Sequence, residues 1–262
     1  MAEAIFWTTL AAYAAAAAAY VGAVRSPGRL GRLGTWAVRI GWLLQTALLG
    51  LQTSDAGGFP WVTWSASLNL FVWFVVGTYL IWGCRTRCRL LGIAVMPLAA
   101  VLLAVAYAGG GTSESGTRRY SDLFLVLHVG LVLIAFAGFT LAAALSALYL
   151  WQERRLKRRE AGILRLRAPS LVNLDALVGR TIAVALPALT FGIAAGLVRL
   201  VGHGGRFDVL MAVTLVMWAV YCAFLLLRYE AGWHGRKAAY LALAGFALVI
   251  AVRLGLPAAH FS

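Results

Sequence analysis

The sequence offers little with which to do chemistry: four histidines, nine carboxylates and three cysteines in 262 residues. No pair of carboxylates is placed for general acid–base work. No Ser-His-Asp set converges by spacing, and there is no Walker glycine loop. Nothing in the sequence marks a hydrolase, an ATPase or an electrogenic pump. Cys84 and Cys88 flank a short basic loop with no histidine near them, and Cys222 stands alone. They read as ordinary small residues rather than a metal or redox set. What remains is His128, His203 and His260, with Arg206 and Asp208 beside the second of them. Two neutral imidazoles from different helix ends, facing one cavity, are what bis-axial haem ligation needs. His234 lies in a basic stretch and reads as solvated.

These groups have to be positioned by membrane helices. Hydrophobic residues make up 62% of the chain, charged residues only 12%, and the mean hydropathy is +0.85. Soluble domains carry about 25% charged residues. The apolar runs are long and unbroken, which excludes an outer-membrane barrel. A bilayer core takes about 20 apolar residues per helix. Eight runs qualify, at 4–24, 35–52, 64–83, 90–108, 122–151, 181–201, 208–227 and 237–256. The expected fold is all-α, a polytopic membrane domain over 1–262 with eight transmembrane helices. The fifth run is longer than a bilayer needs and should tilt or project. The first follows Met1-Ala2-Glu3, an acidic start unlike the positive n-region of a signal peptide.

The basic residues sort by loop. Of the 23 Lys and Arg, seventeen fall after spans 1, 3, 5 and 7. The other side has Arg118, Arg119, Arg199, Arg206 and Arg253, while Arg39 lies inside span 2. The positive-inside rule then puts the seventeen in the cytoplasm and both termini outside. Nucleic acid is not needed to explain the formal charge of +14. His128, His203, Arg206, Asp208 and His260 all come to the outer side. So does the loop with Phe59, Trp61 and Trp64, whose rings could sandwich a porphyrin. Ten tryptophans can equally be a lipid-facing belt, so composition alone does not carry a haem assignment. Asp208 could orient a ligand histidine or cap span 7. Arg206 could pair with a haem propionate.

The one long loop, 152–180, is basic and cytoplasmic in this scheme. Glu153 to Arg159 extends span 5. Ser170 follows Pro169 and can cap a short helix carrying Leu171, Leu174 and Leu177 on one face. Such a helix would lie on anionic lipid or dock a cytosolic partner.

Several stretches resemble the cytochrome c assembly superfamily of haem-handling membrane proteins, whose branches include CcsA, CcmC and the HemX/YpjD-like proteins. Leu127-His128-Val129 through Ala147-Leu148-Tyr149-Leu150 is similar to the family helix that bears an outer ligand histidine. Pro169-Ser170-Leu171, Leu174-Asp175 and Arg180 resemble the linker of the HemX-like branch. Trp218 to Tyr221, Gly232 to Ala239 and Gly245-Phe246-Ala247 are similar to the last two family helices. Leu256-Pro257-Ala258-Ala259-His260 resembles the segment with the second outer histidine. The resemblance implies a b-type, non-covalent haem on His128 and His260 at the outer face. His203 is the rival second ligand.

The departures are specific. The family's outer signature is W-G-x-x-W-x-W-D. Laid on residues 201–208, this chain keeps Gly202 and Asp208, with Phe207, Val201 and Gly205 in place of the tryptophans. Synthases of the family also carry two histidines within the membrane, where this chain has Gln45 and Leu226. The pattern suits the HemX-like branch, with no stand-alone synthase activity expected. Expected partners are the bilayer, haem, and either a cytochrome c maturation partner or a cytosolic haem-biosynthesis enzyme, with location in the cell membrane. Two other readings stay open: a regulator of haem synthesis acting through its cytoplasmic loop, and a transporter or structural subunit without haem.

Overall fold

The computed structural model describes residues 2–25, 29–56, 64–82, 89–110, 123–159, 169–202 and 209–255. The described residues form eight α-helices: α1 (Ala2–Arg25), α2 (Arg29–Ala56), α3 (Trp64–Trp82), α4 (Arg89–Ala108), α5 (Leu123–Lys157), α6 (Leu171–Gly202), α7 (Val209–Tyr229) and α8 (Arg236–Gly255). Six of them hold an apolar window long enough to cross a bilayer: α1, α3, α4, α5, α6 and α7. Among the described residues α2 falls short because Arg39, Gln45 and Gln52 interrupt it. The protein is an all-helical, multi-span membrane protein. The chain divides into two compact units, Met1–Leu123 and Phe124–Ser262.

In the first unit, aromatic side chains of α1 fill notches left by glycine. Phe6, Tyr13, Ala16 and Tyr20 are buried along one helical face. A Cβ on Gly41 would lie 2.7 Å from the Tyr13 ring, and one on Gly34 would lie 3.0 Å from Tyr20. Small residues let membrane helices approach closely, since hydrophobicity gives no drive to associate in lipid. A buried polar chain then ties α1, α2 and α3. The Tyr13 hydroxyl donates to Gln45 Oε1 at 2.7 Å. Gln45 Nε2 donates to the Asn69 carbonyl at 3.1 Å and to Asn69 Oδ1 at 2.9 Å. Asn69 Nδ2 reaches Gln52 Oε1 at 3.3 Å. Trp42 and Trp73 stack at 5.1 Å, and Trp42 Nε1 donates to the Trp73 carbonyl.

The second unit is built on an antiparallel pair, α5 and α6. A Cβ on Gly138 would meet Ala185 Cβ at 2.7 Å, one on Gly192 would meet Val132 at 3.0 Å, and one on Gly196 would meet the His128 ring at 2.7 Å. Residues 138, 132 and 128 therefore oppose 185, 192 and 196 in one continuous register. α7 joins through Phe139, whose ring stacks on Tyr221 at 3.8 Å, and through Trp218 Nε1, which donates to Thr190 Oγ1 at 2.9 Å. The Tyr221 hydroxyl donates to the Ala242 carbonyl of α8 at 3.4 Å.

The 152–180 stretch differs from the loop read in the sequence, because both of its ends are helical. α5 runs on to Lys157, as the extension of span 5 suggested. Ser170 does cap a helix: Asn173 N–H donates to its Oγ at 3.2 Å. That helix is not a short separate one but α6 itself, continuous to Gly202. Leu174 is fully buried rather than laid on lipid. The physical reason is that the backbone bonds of α6 run on unbroken past the polar residues Asn173, Asp175 and Arg180, and Asp175 is met by Arg228.

Candidate functional site

His128 lies one and a half turns into α5, half-buried against α6. Its Nδ1 is 2.7 Å from the carbonyl oxygen of Gly192. A carbonyl can only accept, so Nδ1 carries the proton. In the neutral ring this leaves Nε2 with the free lone pair. A ligand histidine needs that arrangement: one nitrogen fixed by an outer hydrogen bond, the other basic and available to a metal. Gly196, one turn beyond Gly192, supplies the flat surface on which the imidazole rests. A methyl there would stand 2.7 Å from both Cε1 and Nδ1. The donor chemistry of His128 thus fits an iron ligand.

Trp64 is the other described member of the expected site. It begins α3 and is 40% exposed. Its ring covers Gly109, where a Cβ would lie 2.7 Å away. This end of the first unit is rich in rings: Phe6 stacks on Tyr107 at 4.2 Å, and the Tyr107 hydroxyl donates to Glu3 at 3.2 Å. Trp61, His203, Arg206, Phe207, Asp208 and His260 lie outside the described residues, as do Phe59, Cys84 and Cys88. Among the described residues no three His, Cys, Asp or Glu side chains gather into a metal site.

Neither residue at the membrane-histidine positions presents a metal donor. The Gln45 amide is saturated on both sides by Tyr13 and Asn69. Leu226 is a hydrocarbon, 62% exposed on the wall of α7.

Sequence reasoning did not pair Asp175 with Arg228. Arg228 Nη2 donates to Asp175 Oδ2 at 2.8 Å and to the Asp175 carbonyl at 3.1 Å, and Nη1 donates to Oδ1 at 3.2 Å. Gly235 N–H adds a bond to Oδ1 at 2.8 Å. The guanidinium lies against Gly179, where no side chain fits. Gly235 has φ +69°, a left-handed conformation that suits glycine. The signal was present in the glycines around His234 and in the lone acid of α6, but 53 residues separate the partners.

The comparisons agree with the resemblance read from the sequence. The chain matches the family described as "Cytochrome C assembly protein" over residues 61–258. It is 28% identical to the "Cytochrome c biogenesis protein CcsA" of Gloeothece citriformis, over 85% of this chain and 84% of that protein. It is equally 28% identical to a CcsA of Prochlorococcus marinus, over 84% and 80%. To the "Protein HemX" of Brevibacillus brevis it is 27% identical, over 86% and 85%. With the match running across both units and most of the length of these relatives, the chain belongs to the cytochrome c assembly protein family, on its CcsA- and HemX-like side.

Proposed function

We propose that this protein holds a b-type haem, bound without covalent attachment, at the outer face of the cell membrane. His128 and His260 would hold the iron through their imidazole nitrogens. Trp61, Trp64 and Phe207 supply the ring surface, Arg206 the propionate partner, and Asp208 the group that orients a ligand histidine. The observation that supports this reading is the His128 hydrogen bond to Gly192, which leaves Nε2 as the metal-binding nitrogen. Bound there, haem would supply a redox-active iron and a group that can be passed on to a maturation partner. The chain's own part is to fix one imidazole tautomer and keep its lone pair in place. Saturated Gln45 and apolar Leu226 support a chain that carries haem at one face and does not synthesise cytochrome c alone.

The proposed topology has eight spans with both termini outside. Reporter fusions after Arg89, within 158–170 and after Ser262 should read inside, inside and outside. An outside reading at 158–170 would overturn the outer site.

For the haem itself, the purified protein should show a Soret band with bis-imidazole features after reconstitution with haemin. His260→Ala should convert it to a high-spin species, while His203→Ala should leave it low-spin. Loss in His203→Ala with His260→Ala unchanged would reassign the second ligand. An unchanged spectrum in His128→Ala would refute the site.

A further inference from the structure

One end of the second unit gathers cations from two helices about eighty residues apart. α5 brings Arg154 and Arg155, and α8 brings Arg236 and Lys237 in its first turn. Tyr240 stands between the two sets of cations. Its hydroxyl accepts from Arg236 Nη2 at 3.4 Å, and Arg154 of α5 lies near enough to act on the same hydroxyl. Aromatic rings then hold the cations in place. The Arg155 guanidinium lies 4.5 Å from the Trp151 centroid, Lys237 Nζ lies 5.5 Å from Trp233, and the Arg236 guanidinium lies 5.4 Å from Tyr240. A ring face steadies a cation without neutralising it.

Among the described residues the acids at this end are few, and two are already engaged. Glu153 bonds Lys157 at 2.7 Å. Asp175 is taken by Arg228 and Gly235. Glu230 stands at the end of α7. The first turn of α8 contains no acid. Arg236 and Lys237 therefore sit at the positive end of a helix dipole, an unfavourable placement that an anion would relieve.

The rings indicate which anion. Trp151 and Tyr240 are exposed on the helix walls, 39% and 41%. Trp and Tyr at the ends of membrane helices lie at the level of lipid headgroups. The complementary molecule is negative at the top and apolar below. We propose that Arg154, Arg155, Arg236 and Lys237, held by Trp151, Trp233 and Tyr240, form a binding site for the phosphodiester headgroup of an anionic phospholipid. An acidic protein segment would match the charges but would leave the exposed indole and phenol walls unused.

The test titrates the whole protein with phosphatidylglycerol, phosphatidylcholine, inorganic phosphate and a poly-glutamate peptide, reading bound species by native mass spectrometry. Phosphatidylglycerol should be retained in preference to the others. The variant Arg154→Gln/Arg155→Gln/Arg236→Gln/Lys237→Gln should lose roughly tenfold or more of that affinity, since each cation near an anionic surface contributes substantially. All four side chains are partly or fully solvated, so the fold should survive, which thermal unfolding in phosphatidylcholine will verify. Arg29→Gln/Arg32→Gln, two exposed cations opening α2, should change nothing. Equal retention of the two lipids overturns the proposal. So does wild-type-like retention by the fourfold variant, or an equal loss in the α2 pair. Phosphate binding as tight as the lipid would make the cluster a free-anion site, and peptide binding as tight would make it a protein-docking surface; either result rejects the lipid assignment.

Discussion

Arg228→Ala is expected to be among the most destabilising single substitutions in the second unit, lowering stability by about 3–5 kcal/mol, the usual cost of removing one partner of a buried ion pair. The Arg228 side chain is 9% exposed and that of Asp175 13%, so the pair is largely shielded from water in the folded protein. The deletion would strip both Asp175 carboxylate oxygens of their guanidinium donors, leaving that side chain with only the Gly235 N–H on Oδ1. It would also open a hole against Gly179. Asp175 lies in the first turns of α6, Arg228 ends α7, and Gly235 precedes α8, so one side chain fastens three elements. Unfolding in graded SDS or by heat in detergent checks the size of the effect. A double-mutant cycle with Asp175→Asn checks the cause. The double variant should be less unstable than the two single losses added together, because the stranded charge is gone. An additive cycle would show that the pair does not act as a unit.

Much of the fold was legible because membrane helices announce themselves by apolar length. The described residues of each of the eight runs read from the sequence fall in a helix. The boundaries were less legible, for a physical reason. An apolar window stops at the first charges, whereas a helix continues as long as its backbone bonds are met. α2 therefore starts at Arg29 rather than near 35, and α6 at Leu171 rather than near 181. In α6 the apolar run is interrupted by Asn173, Asp175 and Arg180, and the Asp175 charge is met by an arginine on another helix. The Ser170 cap was readable, since capping is local chemistry. His128 was readable by type, as an ionisable residue in a costly place. The residues that give it direction were not. Gly192 acts through its backbone carbonyl and Gly196 through having no side chain, so neither leaves a signal in composition or hydropathy.

That pair gives the second large effect. Gly196→Ala is expected to weaken haem binding about 10- to 100-fold, the usual consequence of disturbing the outer hydrogen bond of a metal-bound histidine. The added methyl would lie 2.7 Å from Cε1 and Nδ1 of His128. Ordinary contact requires about 3.4–4 Å, so the ring must withdraw by roughly an ångström. A hydrogen bond of 2.7 Å to Gly192 does not survive that movement. With Nδ1 no longer held, the neutral ring exchanges tautomers, and Nε2 bears the lone pair only part of the time. The measurement pairs haemin titration with the 15N shifts of His128 in the haem-free protein. In the wild type the shifts should report a proton on Nδ1, and in Gly196→Ala a mixture. Gly130→Ala is the matched control: it lies on α5 two residues from His128, and its new methyl meets nothing within 4 Å. It should leave affinity and tautomer unchanged. If the wild type shows the Nδ1–H tautomer but takes up no haem, the positioning stands and the haem reading falls. If haem binds through His128 and Gly196→Ala matches the wild type in both affinity and shifts, the haem reading stands and Gly196 has no part in placing its ligand.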